Sequence, residues 1–377
     1  MKRKSQKRSP SLPSKTSPRF AAPRPVPVQS EARWRVPGEF ENQEALVIGC
    51  ACLIRNMPQV FINLIRALHG RIRVICLVNQ EDEVLGEVLL AAAGLPRNAA
   101  EFTRLSSVSM WARDWCPIPA YDANGQRALL ALELRHLRTA ANDGAEPELS
   151  RIFGAPVVKV PLTLEGGNIL CNGDGICLTS TTVFPKNASR QLDHQQLGGV
   201  VATYFGATQW AYLDPLSGET TGHIDLFCSF LAKDLVVVGQ YPASVDPINA
   251  AILDRAAEIL SGLKTSVGPM RVVRMPMPPP IDGRYRSYTN VAFANSALLV
   301  PLYPGIDDSL DRRALSIYRE LMPDREVIGI DIMEMSTLGG GLHCMTCNVC
   351  SASIPAAALM LAGNSSPVPA LSTATAA

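Results

Sequence analysis

A chain of 377 residues, 47% hydrophobic and 18% charged, is long enough to bury a large core and too apolar to be disordered throughout. Its formal net charge of +1 sets up no global field that would recruit nucleic acid or an anionic membrane, so a partner has to be recognised by a local site. The 10 cysteines are scattered rather than massed as in a small disulfide-framed domain, and no apolar run reaches the roughly 18 to 20 residues that span a bilayer, which together point to a reducing cytoplasm.

In chain order, residues 1–30 come first. They carry Lys2, Arg3, Lys4, Lys7, Arg8, Lys15, Arg19 and Arg24 among Ser and Pro, with no acidic residue before Glu31. Such a stretch buries too little apolar surface to offset its ordering entropy, and it reads as a disordered basic tail. An organelle transit peptide has similar composition, but the prolines oppose the amphipathic helix that such peptides need. One folded domain is expected over residues 31–362, followed by a second unstructured tail, 363–377, rich in Ser, Pro, Ala and Thr.

Within the domain, residues 44–50 and 71–78 read as buried strands on either side of a helix at 57–69, whose Val60, Leu64, Ile65 and Leu68 share one face. That is a β-α-β unit. Apolar periodicity predicts further helices at 83–93, 189–204, 250–263 and 310–321, and strands at 128–134, 156–160, 176–179, 235–238, 271–275, 297–302 and 327–330. A mixed α/β architecture follows, without a visible sequence repeat. Cys50, Cys52, Cys76, Cys116, Cys171, Cys177 and Cys228 fall in apolar or strand-like runs and read as small core residues.

The chemistry-bearing residues lie after or between these strands. Cys344 follows Gly339-Gly340-Gly341-Leu342-His343, where glycines let a backbone approach a ligand and present one thiol from a tight loop. A guanidinium is planar, cationic and resistant to attack, so an enzyme acting on it needs carboxylates to hold it and a strong nucleophile. Asp114 and Asp225 are the candidates for the clamp, Cys344 for the nucleophile and His223 for the general acid and base. Glu165 is placed in sequence either to orient that imidazole or to hold a guanidinium nitrogen. Arg113 reads as a brace for its loop.

The segments Trp111-Ala112-Arg113-Asp114, Glu165-Gly166-Gly167-Asn168, Gly222-His223-Ile224-Asp225, Tyr288-Thr289-Asn290 and Gly339-Gly340-Gly341-Leu342-His343-Cys344-Met345-Thr346, in that order, resemble the agmatine deiminases and porphyromonas-type peptidyl-arginine deiminases. The resemblance covers residues 34–354. It implies the pentein fold, a five-bladed α/β propeller with a central cleft, and a cofactor-free, metal-free hydrolase that turns a guanidino group into a ureido group and ammonia. By the same resemblance Glu219, Asn290, Arg135 and Arg138 are substrate-binding positions; Trp111 reads either as core packing or as a wall stacking on the guanidinium face, Gly341 is placed with the substrate-binding residues, and assembly into a homo-oligomer is left open.

Two features pull the substrate in opposite directions. Glu219, shortly before His223, suits a cationic tail such as that of agmatine. Arg135 and Arg138 suit a carboxylate, because a guanidinium fork forms two parallel charge-assisted bonds, and they tip the expectation toward an arginine-like or peptidyl-arginine substrate. After the nucleophile, Cys347 and Cys350 depart from the family pattern and raise a redox role beside a metal one. An amidinotransferase would use the same groups and pass the amidino carbon to an amine, and a binding protein would use none of them covalently.

Overall fold

The computed structural model describes residues 26–27, 33–106, 109–134 and 145–351. The tail at 363–377, the outer domain boundaries, and Arg135 and Arg138 lie outside these residues. Of the basic tail, Val26–Pro27 is described, and it forms a short strand antiparallel to Gln209–Leu213 rather than remaining wholly unpaired.

Five sheets repeat one plan: a first strand pairs antiparallel with a second, and the second pairs parallel with a third. The units are Ile118–Tyr121, Arg127–Glu133 and Val157–Thr163; Ile169–Cys171, Ile176–Ser180 and Gln209–Leu213; Cys228–Ala232, Leu235–Gln240 and Arg271–Pro276; and Ala292–Ala294, Ala297–Leu302 and Glu326–Asp331. The fifth joins the two ends of the chain. Thr346–Cys350 is its first strand, Gln43–Gly49 its second and Arg73–Asn79 its third, with Glu101–Leu105 added parallel beyond. This is the five-bladed pentein propeller, and the repeat invisible in residue identities is present in topology.

Each parallel connection passes through helix, as geometry demands of parallel neighbours. Pro58–Leu68 begins on Pro58, where a missing N–H costs nothing, and buries Val60, Phe61, Leu64, Ile65, Ala67 and Leu68. Asp193 and Gln196 form a reciprocal capping box at the start of His194–Phe205, and Gly206 closes that helix at φ 70°. Asp246 caps Pro247–Ser261 and Asp307 caps Asp308–Leu321. The second strands are covered on both faces, so Val236, Val237 and Val238 are fully buried and read as a continuous apolar run rather than an alternation.

The expected β-α-β unit and the helices at 83–93, 250–263 and 310–321 are present with ends shifted by a few residues, as Asp82–Ala92, Pro247–Ser261 and Asp308–Leu321. The helix expected at 189–204 starts later, at His194, because residues 188–190 form a separate 3-10 turn. Unexpected from sequence were the first strands of all five units, the strands Glu101–Leu105 and Gln209–Leu213, and the helix Ala145–Phe153. Most of the seven cysteines assigned to the core are buried, but Cys52 is exposed at φ 63° and Cys171 is half-buried. No helix among the described residues is long and apolar enough to cross a membrane.

Candidate active site

All five sequence motifs occupy one structural position, the turn that enters the first strand of a unit. Ala112–Trp115 precedes Ile118–Tyr121, Gly166–Asn168 precedes Ile169–Cys171, His223 and Asp225 precede Cys228–Ala232, Asn290 precedes Ala292–Ala294, and Leu342–Met345 precedes Thr346–Cys350. Three of these turns form a single helical coil, which delivers a side chain inward just before the strand begins.

The turns converge on Gly167. A Cβ built there would lie 2.7 Å from His223 Nδ1, 2.9 Å from Asp114 Oδ1 and 3.1 Å from Asp225 Oδ2, so three functional groups from the turns of two other units crowd a residue that must have no side chain. His223 Nδ1 lies 3.5 Å from Asp114 Oδ1 and its Nε2 lies 3.6 Å from Glu165 Oε2. Glu165 is anchored from its other side by Lys186.

Cys344 Sγ lies 3.6 Å from Asp225 Oδ2 and 3.3 Å from Asn290 Nδ2. Asn290 orients this corner: Nδ2 donates to the carbonyl of Asp225 at 3.1 Å, and Oδ1 accepts from the backbone N–H of His343 at 2.9 Å and of Cys344 at 3.3 Å. Gly341 allows that approach, since a Cβ there would stand 2.4 Å from Asn290 Oδ1. Trp111 packs its ring over the neighbouring Gly340. Asp114 and Asp225 each keep a buried oxygen, Oδ1, without a hydrogen-bond partner among the described residues. Buried carboxylate oxygens without a hydrogen bond cost free energy in an interior unless a donor arrives, even where His223 stands at ion-pair distance from one of them, and a planar cation with several N–H groups is such a donor.

The proton affinities are displaced in opposite senses. Burial, with Asp225 and Glu165 nearby, pushes Asp114 up to about 6 against the pull of His223. Burial disfavours the His223 imidazolium, yet Asp114, Glu165 and Asp225 outweigh it and raise the ring to about 9. Burial also opposes the charge on Glu165, but His223 and Lys186 hold it down at about 2. The Cys344 thiol is pushed well above its usual range by burial and by the negative fields of Asp225 and Asp114. The resting site therefore holds a protonated thiol and a protonated imidazole.

Of the residues singled out from sequence, Cys344, His223, Asp225, Asp114, Glu165, Asn290, Gly341 and Trp111 are brought together. Glu219 is half-buried and turned onto its own loop, where its carboxylate accepts from the backbone N–H of Thr221 at 3.0 Å and of Gly222 at 2.6 Å. Arg113 is the buried brace expected, paired with Glu39 at 2.5 Å and donating to Asn348 at 3.0 Å. Cys347 and Cys350 are buried and face apart, the first toward the Pro117 carbonyl and the second toward that of Gly38. Sequence reasoning missed Glu39 and Lys186, which stand outside every motif, and left His343 unassigned although it precedes the nucleophile.

A thiol, an imidazole and paired carboxylates carried by the turns of a pentein propeller define a hydrolase that acts on amidine C–N bonds, a deiminase. A sequence model of the Porphyromonas-type peptidyl-arginine deiminase family matches residues 35–349, and the chain belongs to that family. It is 27% identical over 335 residues to a putative agmatine deiminase of Legionella pneumophila, covering 82% of this chain and 93% of that one. Its fold is similar to that of the agmatine deiminase of Enterococcus faecalis, with TM-score 0.73 at 20% identity over 85% of this chain and 97% of that one. A putative arginine deiminase of Porphyromonas gingivalis gives TM-score 0.70 at 25% identity over 85% and 99% of the two chains.

Proposed function

We propose that the chain hydrolyses the guanidino group of an arginine-like or peptidyl-arginine substrate to a ureido group and ammonia through a covalent thiouronium on Cys344. The observation that carries this reading is the pair of Oδ1 atoms of Asp114 and Asp225, buried without a hydrogen bond beside the thiol and the imidazole, the first facing His223 only at ion-pair distance. A guanidinium seated between them neutralises the two fields that keep Cys344 protonated, so one cation enters as one proton leaves to solvent. The thiolate attacks the central carbon. His223, protonated at rest, gives its proton to the departing nitrogen, and ammonia leaves. The neutral imidazole then takes a proton from water as the oxygen attacks the thiouronium carbon, and collapse of that adduct expels the thiolate and yields the ureido product.

The engagement of Glu219 with its own loop favours a substrate whose tail is not an amine. The family resemblance to agmatine deiminases and the retention of Glu219 ahead of His223 support agmatine as the second reading. Ammonia release measured across agmatine, arginine and peptides ending in arginine separates them, and release without an added amine separates hydrolysis from amidino transfer. Arg135→Ala should weaken the carboxylate-bearing substrates by about 1.5 to 3 kcal/mol and spare agmatine. Agmatine as the preferred substrate, unaffected by Arg135→Ala, reverses the assignment.

A further inference from the structure

Asp225 is gripped from behind by a line of charges that the reaction above does not use. His343 Nδ1 lies 2.7 Å from Asp225 Oδ2, and His343 Nε2 lies 3.1 and 3.3 Å from the two oxygens of Glu39. Glu39 meets Arg113 Nη1 at 2.5 Å, and Arg113 Nη2 donates to Asn348 Oδ1 at 3.0 Å. Asp225 is 2% exposed, His343 4% and Arg113 6%, while the Glu39 side chain keeps 23% exposure, so water reaches the line only at Glu39. Its far end borders a small cavity of about 40 Å³ lined by Glu39, Arg113, Cys171 and Phe230, away from the thiol.

An ionised carboxylate only accepts hydrogen bonds. An imidazole with a carboxylate at each nitrogen satisfies both only by donating from both, which makes His343 an imidazolium. The order along the line is then carboxylate, imidazolium, carboxylate, guanidinium, with the charges cancelling in pairs. Desolvation opposes the charge on the half-buried Glu39, and the same ion pairing explains why Arg113 and His343 nonetheless hold it down at about 2. Asp225 needs such support, because the carboxylate of Asp114 converges with it on Gly167 and disfavours a second negative charge there. Left alone, a buried carboxylate so placed takes up a proton. His343 supplies the countercharge through Oδ2 and leaves Oδ1 free.

We propose that His343, kept charged by Glu39 and Arg113, is a positioning residue that holds Asp225 ionised and turns its free Oδ1 toward the substrate cation. The groups facing His343 are Asp225 from the turn before the third unit, Glu39 from the N-terminal segment, Arg113 from the turn before the first unit, and Cys344 and Cys347 on its own segment. Of these, Glu39 and Asp225 supply the negative charge and Arg113 opposes it. Glu39→Gln keeps an acceptor oxygen and nearly the same shape while removing one charge. His343→Gln keeps a donor to Asp225 and removes the imidazolium.

This inference rests on the cation clamp but not on the identity of the substrate tail. Its test is alkylation of Cys344 by chloroacetamidine, whose amidinium stands in for a guanidinium and carries no tail, followed by peptide mass spectrometry across the pH range. In both variants the acid limb of the alkylation rate should rise by one pH unit or more and steepen, because Asp225 now titrates beside Asp114, giving a loss of tenfold or more at pH 6. Labelling of Cys344 by neutral iodoacetamide should stay within about threefold, and the melting temperature should stay near that of the unaltered protein. A parallel loss at every pH, or an unchanged acid limb, overturns the positioning role. A wild-type Cys344 that shows no preference for the amidinium reagent overturns the clamp and this inference together.

Discussion

His223 Nδ1 stands 3.5 Å from Asp114 Oδ1, and the two groups bound the pH range in which the site can work. Asp114, raised to about 6, has to be ionised to hold a cation, so activity is lost as pH falls through that value. His223, raised to about 9, has to carry a proton for the leaving nitrogen, so activity is lost as pH rises through that value. The expected profile of kcat/KM is a bell with limbs near 6 and 9, since this ratio reports the free enzyme. Glu165→Gln removes one of the carboxylates that raise His223 and should bring the basic limb down toward neutrality, and it should draw the acid limb down by a smaller amount because Glu165 also raises Asp114. A basic limb that does not move would deny His223 the role of acid.

Gly167→Ala is a steric test of the same convergence. The added methyl would stand within 3.1 Å of His223, Asp114 and Asp225, and two of these atoms are closer than a real Cβ tolerates. Each group would have to shift, and misplacement by a fraction of an ångström at a reacting centre is costly. The expected result is a loss in kcat/KM of about 100-fold or more with the far-ultraviolet circular dichroism unchanged. Near-normal turnover would mean that the three groups do not act together.

Cys344 should be a sluggish thiol until a cation joins it. Its proton is held well above the usual thiol range, so iodoacetamide near neutral pH should label the exposed Cys52 first. In the proposed cycle an amidinium reagent raises the reactivity of Cys344 selectively, which peptide mapping can follow residue by residue. Equal labelling of Cys344 by neutral and cationic reagents would remove the case for a thiolate formed on substrate entry.

The site was more legible in the sequence than the fold that carries it. Four of the five motifs pair a turn-forming Gly or a short helical coil with a chemically specific side chain, and that combination stands out without knowledge of neighbours in space; Tyr288-Thr289-Asn290 has neither. Helices such as Pro58–Leu68 and strands such as Leu235–Gln240 were visible because burial imposes a period or an apolar run on enough residues. The first strand of every unit was not. These strands are only 3 to 5 residues long, follow the motifs directly and present too few positions for an alternation to register. Glu39 and Lys186 were invisible for a different reason: each meets its partner only through tertiary packing, Glu39 across 304 positions to His343 and Lys186 across 21 to Glu165.

Closure of the ring depends on Asn348, a buried amide on the strand that joins the ends of the chain. Its Nδ2 donates to Gln43 Oε1 at 3.2 Å and to the Phe293 carbonyl at 3.1 Å, and its Oδ1 accepts from Arg113 at 3.0 Å. One side chain thus ties the fifth unit to the fourth and to the turn that enters the first. Asn348→Ala removes three hydrogen bonds and leaves a buried guanidinium nitrogen and a buried carbonyl unpaired, each costing about 1 to 3 kcal/mol. Chemical denaturation should show a loss of stability in that range or above it. Asn348→Asp keeps the acceptor for Arg113 but cannot donate to Gln43 or Phe293, and it buries a second carboxylate on the guanidinium that Glu39 already pairs, so it should rescue little of the loss. A variant as stable as the parent would mean that closure rests on the backbone ladder between Thr346–Cys350 and Gln43–Gly49 alone.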